Sequence, residues 1–166
     1  MLPGGAMSDY LRQGCRVGDE IRFEAPLGTF YLRQVERPLL LVAGGTGLSA
    51  FLGMLDELAE RGCERPVHLY YGVRRADDLC ELQRIAGYAE RLPASASSRC
   101  SARRTPTGMA GAATCTSIST PPACATKLDL YLCGPPPMVE AVRQWLREHS
   151  LEHLRLYLEK FTESGD

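Results

Sequence analysis

The sequence predicts an α/β fold built on a doubly wound parallel sheet. Residues 37–60 have the pattern of a strand, a glycine-rich turn and a helix. Further short apolar runs at 66–72, 128–132 and 154–158 alternate with segments of helical character. This alternation of strands and helices is typical of a parallel sheet covered by helices on both faces.

The first strand and its helix are the best-marked elements. Residues 38–43 form an apolar run bounded by proline and glycine, as expected for a strand buried on both faces. Beyond the glycine turn, apolar residues recur with a helical period of about 3.6 residues. They are Leu48, Phe51, Leu52, Leu55, Leu58 and Ala59. Gly62 follows, where a left-handed C-cap is expected.

Gly44, Gly45, Thr46 and Gly47 connect this strand to its helix. Such a turn directs the helix N-terminus and free backbone N–H groups at a phosphate. A tight turn without a ligand is the alternative interpretation. The spacing is not G-x-G-x-x-G, so the common dinucleotide fingerprint is absent at this turn.

The remaining strands are also followed by predicted helices. After 66–72, a helix is expected with Asp77 and Asp78 in its first turn and an apolar face of Leu79, Leu82, Ala86 and Ala89. After 128–132, prolines begin a helix that extends to about residue 150. Its predicted inward residues are Val139, Val142 and Leu146.

Residues 1–36 do not have the pattern of a complete domain. Ser8 is expected to be the N-cap of a short helix, and strands are predicted at 20–25 and 29–33. Two strands cannot bury a core alone. They either pack on the following domain or pair with strands that precede residue 1, and we favour the second alternative.

The composition excludes several classes of protein. A net charge of −1 offers no basic surface for nucleic acid. No apolar run approaches the roughly 18 residues of a membrane helix, and no signal peptide is recognised. The seven cysteines contain no C-x-x-C pair, so we expect reduced thiols, no metal site and a cytoplasmic protein.

Four strand ends are expected to meet at the carboxyl edge of the sheet, where ligands bind in such folds. They carry residues 44–47, 72–74, 133–138 and 159–161. We interpret them as one site. Each of three residues in this site also has an interpretation without a ligand. Cys133 would be a small buried thiol, Arg74 a solvated loop residue and Phe161 a packing residue.

Several of these segments together resemble the ferredoxin–NADP reductase superfamily. The likeness is greatest to the NADH-dependent reductase component of benzoate/anthranilate-type ring-hydroxylating dioxygenases, and it covers nearly everything except residues 94–127. The motifs that carry it are GGAMSDYL, GDEIRFEAPLGTFYLR, AGGTGLSAF, RPVHLYYGVR, LYLCGPPPMVEAV and LEKF.

The resemblance implies an electron-transfer oxidoreductase. In that family NADH passes a hydride to FAD, and the electrons continue to a [2Fe–2S] centre and an oxygenase component. Residues 1–36 would be the C-terminal part of an antiparallel flavin-binding β-barrel. Residues 37–166 would be the NAD(P)-binding domain, with strand order 3-2-1-4-5. The preference for NADH over NADPH rests on this likeness.

The resemblance also implies roles for individual residues. Cys133 would lie beside the nicotinamide, and Phe161 would lie against the flavin with Glu159 nearby. The flavin pyrophosphate motif would be Gly5, Ala6, Met7 and Ser8. The residues that match the nucleotide motifs are Gly44, Gly45, Thr46, Gly47, Tyr71, Gly72, Arg74, Gly134, Pro135, Pro136 and Met138.

The sequence departs from the family in two respects. It lacks the cysteine signature of a plant-type ferredoxin and the Arg-x-Tyr-Ser motif that binds FAD in the family. We therefore expect a fragment that holds no iron–sulfur cluster and binds flavin poorly. A module that only binds nucleotide, or an unrelated nucleotide-binding protein such as a methyltransferase-like fold, is the alternative.

Residues 94–127 are the second departure. They are rich in alanine, serine and threonine and contain one isoleucine but no leucine, valine or aromatic residue. Composition alone predicts a disordered linker. Our preferred hypothesis is a pair of compensating frameshifts, because the family needs a third strand here. Arg99, Arg103 and Arg104 are accordingly not interpreted as an NADP phosphate site.

Overall fold

The computed structural model describes residues 6–24, 28–92, 99–104, 127–151 and 154–160, with the backbone alone for 99–104. Five strands form a parallel sheet in the order β3-β2-β1-β4-β5, as predicted. They are β1 (Leu39–Gly44), β2 (Val67–Val73), β3 (Arg99–Arg104), β4 (Asp129–Gly134) and β5 (Arg155–Lys160).

Helices cover both faces of this sheet, which confirms the doubly wound architecture. The described helices are α1 (Ala6–Asp9, continued by a π-type turn over Tyr10–Gly14), α2 (Leu48–Arg61), α3 (Leu82–Arg91) and α4 (Pro136–Glu148). Helices α2 and α3 pack on one face, and α4 packs on the other. The central strands β1 and β4 are buried along their whole length, which explains their continuous apolar sequences.

Two helices follow the predicted faces closely. The buried residues of α2 are Leu48, Phe51, Met54, Leu55 and Leu58, so the predicted stripe is correct apart from Met54, which it omitted. Leu52 and Ala59 lie at the margin of this stripe and are partly buried. Gly62 ends α2 with φ +73°. In α4 the predicted Val139, Val142 and Leu146 are all buried.

The predicted apolar face of α3 is wrong. Ala76–Asp78 forms a separate 3₁₀ turn, and Glu81 adopts a left-handed conformation with φ +58° before α3 begins. This break separates Leu79 from the helix, and within α3 the side that faces the core is the one with Ile85 and Tyr88. Leu82 is therefore 46% exposed, Ala86 and Ala89 are exposed, and Leu79 is half-buried. The buried residues are Ile85 and Tyr88, followed by Leu92 just beyond the helix.

The strands predicted at 20–25 and 29–33 are also wrong for the described residues, and so is the N-cap at Ser8. Residues 19–24 and 30–36 are assigned to no strand, because a strand needs a hydrogen-bonded neighbour and none of the described residues provides one. Ser8 lies inside α1, which begins two residues earlier at Ala6. Residues 25–27 lie outside the described residues.

Residues 30–36 instead pack on the sheet. Phe30, Leu32 and Val35 contact the core on the α2 face. The backbone N–H of Arg33 donates a hydrogen bond of 3.0 Å to the hydroxyl of Tyr131. Phe30 contacts the Tyr131 ring edge-on at a centroid distance of 6.0 Å, and Tyr131 stacks on Tyr157 at 4.6 Å. The segment before β1 is thereby fixed against β4 and β5.

The backbone of residues 99–104 forms β3 and pairs in parallel with β2. The interpretation of 94–127 as a linker is therefore wrong for these six residues. Backbone hydrogen bonds to the free edge of β2 do not require apolar side chains, so a poor strand composition can still be accommodated. Residues 105–126 lie outside the described residues, and the frameshift hypothesis stays a hypothesis.

Tyr131→Phe should lower the free energy of unfolding by about 1 kcal/mol, because the Arg33 N–H loses its acceptor while the aromatic contacts remain. Urea unfolding followed by circular dichroism measures this change.

Tyr157→Phe is the matched control. It removes a hydroxyl from the stacked partner ring, for which the described residues provide no hydrogen bond, so its effect should stay within about 0.5 kcal/mol. Equal losses in the two variants would contradict the assigned role of the Tyr131 hydroxyl.

Candidate functional site

The carboxyl edge of the sheet brings together the predicted strand ends. Gly44 lies opposite Gly72, and Ala43 lies opposite Cys133. Cys133 in turn lies opposite Glu159. Because the strands are parallel, the turn after β1, the loop after β4 and the end of β5 adjoin at one edge. Phe161 lies outside the described residues.

The turn after β1 leads directly into α2. Gly45–Gly47 forms one 3₁₀ turn, and the hydroxyl of Ser49 donates to the carbonyl of Thr46 at 2.9 Å. Gly45 has φ +56°, and a Cβ added there would meet nothing within 4 Å. This backbone conformation favours glycine, and the space beside Gly45 is open. The 3₁₀ turn continues directly into α2, and the N–H of Leu48 bonds to the carbonyls of Gly45 and Thr46, so the N-terminal N–H groups of this helix belong to the glycine turn itself.

Three other glycines serve close packing inside the protein. A Cβ on Gly47 would lie 2.3 Å from the carbonyl oxygen of Cys133. A Cβ on Gly134 would lie 3.0 Å from the Cα of Gly44, and one on Gly44 would lie 2.9 Å from Cδ of Pro135. These glycines let the turn after β1 touch the loop after β4, and this requirement holds with or without a ligand.

The thiol of Cys133 is fully buried on the α2 face of the sheet. Burial, with a smaller contribution from the negative charge of Glu159, raises the pKa of Cys133 to about 12. The side chain therefore remains an uncharged thiol at neutral pH. Glu159 is half-buried on the neighbouring strand.

Tyr71 directs its side chain into the core. Its hydroxyl donates to the carbonyl of Asp78 at 3.3 Å and lies 3.4 Å from Sγ of Cys80. Burial and the Cys80 contact raise the pKa of Tyr71 to about 12. Tyr71 thus has the place of a core residue, while Gly72 is half-buried at the strand end and Arg74 is exposed on the following loop.

The proline-rich loop after β4 forms the start of α4. Pro135 is exposed and precedes Pro136, which is the first residue of the helix, as predicted. Met138 is only 4% exposed. A Cβ on Gly44 would lie 2.5 Å from Sδ of Met138, and one on Gly134 would lie 2.7 Å from its Cε. The methionine therefore packs against Gly44 and Gly134 together, in the room that their missing side chains leave.

The predicted flavin motif is partly described. Ala6, Met7 and Ser8 belong to the short helix α1, in which Met7 is 52% exposed and Ser8 is half-buried. Gly5 lies outside the described residues. The predicted flavin role of these residues stays a prediction.

Tyr131 and Tyr157 were not singled out from the sequence. They precede Cys133 and Glu159 by two positions, so each pair shares one face of its strand. The two-residue spacing in the sequence could therefore have placed both tyrosines on the same face as the site residues. Their stacked rings place the segment around Arg33 on the face that carries the thiol and the carboxylate.

Comparison with known proteins identifies the family. Residues 41–144, more than half of the chain, match the oxidoreductase NAD-binding domain. The chain belongs to this NAD-binding family. Among the described helices of this NAD-binding chain, none is long and apolar enough to span a bilayer. Family membership also decides against an unrelated methyltransferase-like fold.

Two curated relatives and one solved structure extend this result. Over 99% of its length, the NAD-binding chain is 47% identical to the anthranilate 1,2-dioxygenase electron transfer component of Acinetobacter baylyi and 44% identical to the toluate 1,2-dioxygenase electron transfer component of Pseudomonas putida. It spans 48% and 49% of those relatives, about half of each.

The crystal structure of the cytochrome P450 reductase GcoB from Amycolatopsis matches with a TM-score of 0.81 at 32% identity. The match covers 99% of this chain and 51% of that one. The resemblance to reductase components of ring-hydroxylating dioxygenases is confirmed.

Cys133 should resist alkylation in the folded NAD-binding chain, whereas the exposed Cys80 should react. The thiolate is the reactive form, and a pKa raised from 9.0 to about 12 leaves roughly a thousandfold less of it at a given pH. Burial adds a steric barrier. Iodoacetamide treatment at mildly alkaline pH, followed by peptide mass spectrometry, measures both sites.

Denaturation in urea should equalise the labelling of the two cysteines, which controls for peptide detection. Labelling of Cys133 in the folded chain at the rate of Cys80 would contradict the buried, protonated thiol.

Proposed function

We propose that the chain is the NAD-binding half of a reductase in which NADH reduces FAD by hydride transfer. The observation that carries this proposal is the convergence of the glycine turn, the Cys133 loop and the end of β5 at one sheet edge. Membership of the NAD-binding family and 47% identity to an electron transfer component support it.

The turn after β1 suits the pyrophosphate of NADH. Gly45 combines a positive φ with open space, which a Cβ would narrow, and the 14-residue helix α2 adds the positive end of its dipole. We assign the pyrophosphate to Gly45, Thr46 and the first turn of α2. Gly72 and Arg74 are assigned to the ribose or phosphate beside the end of β2.

The loop after β4 is assigned to the nicotinamide end. When bound, NADH supplies the hydride and FAD accepts it. Cys133 lies at the end of the strand before this loop and adds no negative charge there, because its thiol is buried and stays protonated. No general base is required for this chemistry, so the absence of ionisation at Cys133 agrees with the proposal.

The flavin is assigned to the side where residues 30–36 lie on β4 and β5. Gly5, Ala6, Met7 and Ser8 are proposed to hold its pyrophosphate, and Phe161 and Glu159 are proposed to adjoin its ring. The Tyr131 hydrogen bond and the aromatic stack support this assignment, because they fix the preceding segment over the face of Cys133 and Glu159.

In the complete protein, electrons would continue to a [2Fe–2S] centre outside this chain and then to the oxygenase component of an aromatic-ring dioxygenase. The names of the relatives support this partner. We further propose a cytoplasmic location and NADH rather than NADPH as the donor. A module that binds nucleotide without reducing flavin is the alternative.

Isothermal titration of the chain with NADH and with NADPH tests the proposal, and tighter binding of NADH is expected. Gly45→Ala should weaken NADH binding by about tenfold, because the alanine disfavours the positive φ and narrows the open side of the turn.

Gly18→Ala is the matched control, since Gly18 also has a positive φ (+101°) and open space for a Cβ but lies outside the assigned site. It should leave the affinity unchanged. No NADH binding by the wild-type chain, or equal losses in both variants, would contradict the assignment.

Anaerobic addition of NADH to the chain mixed with FAD then separates the two functions. Bleaching of the flavin absorbance supports hydride transfer. NADH binding without bleaching supports the nucleotide-binding module.

A further inference from the structure

The loops after β1 and β4 are held together by contacts that require glycine. Gly44 and Gly134 approach so closely that a Cβ on Gly134 would lie 3.1 Å from the backbone nitrogen of Gly44. Gly47 leaves no room for a side chain against the carbonyl of Cys133. The two segments that we assign to opposite ends of the nucleotide therefore share one packed junction.

One side chain completes this junction. Met138 extends from the first turn of α4, and its Sδ and Cε adjoin the positions that a Cβ on Gly44 or Gly134 would occupy. It is 4% exposed and belongs to the core on the α4 face. A side chain so buried is shielded from a ligand and contacts both loop backbones.

We infer that Met138 is a positioning residue that couples the pyrophosphate turn after β1 to the nicotinamide loop after β4. It packs over the contact between Gly44 and Gly134 from the α4 face, so that a change in its volume lets one loop move relative to the other. This inference rests on the proposed nucleotide site and assigns Met138 a role through Gly44 and Gly134 rather than by ligand contact.

The residue type fits this role. Methionine is unbranched and adaptable, so it can pack closely against two adjoining backbones at once. Alanine would leave an empty space on the α4 side of the junction and allow the loops to shift. Leucine conserves the volume and should restore most of the packing, because volume-conserving exchanges are tolerated best in packed sites.

Met54 provides a matched control. It is 5% exposed in α2 and packs in the core on the opposite face of the sheet. Met54→Ala and Met138→Ala both truncate a buried methionine, so both should lower the thermal unfolding temperature. Only Met138 adjoins the two loops.

Isothermal titration with NADH should show that Met138→Ala loses about tenfold in affinity, while Met54→Ala keeps the wild-type affinity. Met138→Leu should recover most of the loss. Equal affinities of the two alanine variants, alongside similar losses in thermal unfolding temperature, would overturn the inference.

Amide hydrogen exchange of the ligand-free chain tests the coupling without NADH. Met138→Ala should speed exchange at Gly45–Gly47 and Gly134 relative to wild type, whereas Met54→Ala should not. If wild type fails to bind NADH, the proposed function fails, and this exchange pattern still decides the coupling. Unchanged exchange at both loops in Met138→Ala would overturn it.

Discussion

The contact between the turn after β1 and the loop after β4 is the constraint on which the site depends. Gly47 lies against the carbonyl of Cys133, and Gly44 lies against Gly134. Because β1 and β4 are neighbours and are buried on both faces, their ends cannot separate without disturbing the core. The core therefore fixes the distance between the two proposed ends of the nucleotide.

The segment before β1 contacts strands β4 and β5 at two positions along their length. Near the middle of the sheet, Arg33 donates to Tyr131. At the opposite edge, Arg37 lies 3.9 Å from the buried Asp129, and Arg155 lies 3.7 Å from Glu36. The charges of Glu36 and Arg37 thus face opposite charges on β4 and β5. These attachments orient the preceding residues relative to Cys133 and Glu159.

Sequence reasoning succeeded where local pattern and burial agree. The strand, turn and helix from β1 to α2 have strong local signals, and so does the inward face of α4. It failed at α3 for two reasons. The left-handed Glu81 breaks the chain between Leu79 and the helix, which glutamate gives no sign of. Within the helix, the predicted face left out Ile85 and Tyr88, the residues that are buried. It also failed at 20–25 and 29–33, because strand formation depends on a partner that alternation within one segment cannot supply.

The sequence predicts which strand ends form the site. It does not predict which residues of the site face open space and which pack against the rest of the protein. Gly45 lies beside open space, whereas Gly44, Gly47 and Gly134 lie against other backbone or Met138. The glycines of this one motif thus differ in backbone conformation and in tertiary contacts, and neither difference is visible in the sequence. Likewise, the burial of Tyr71 and Cys133 depends on which strand face each occupies and on what covers that face.

The most direct measurement is an NMR titration of the isotope-labelled chain with NAD⁺. The largest amide shifts are expected at Gly45, Thr46, Gly72 and Gly134, with little change at the opposite edge around Asp129. Shifts centred away from the carboxyl edge of the sheet, or no saturable shifts at all, would contradict a nucleotide site built from these strand ends.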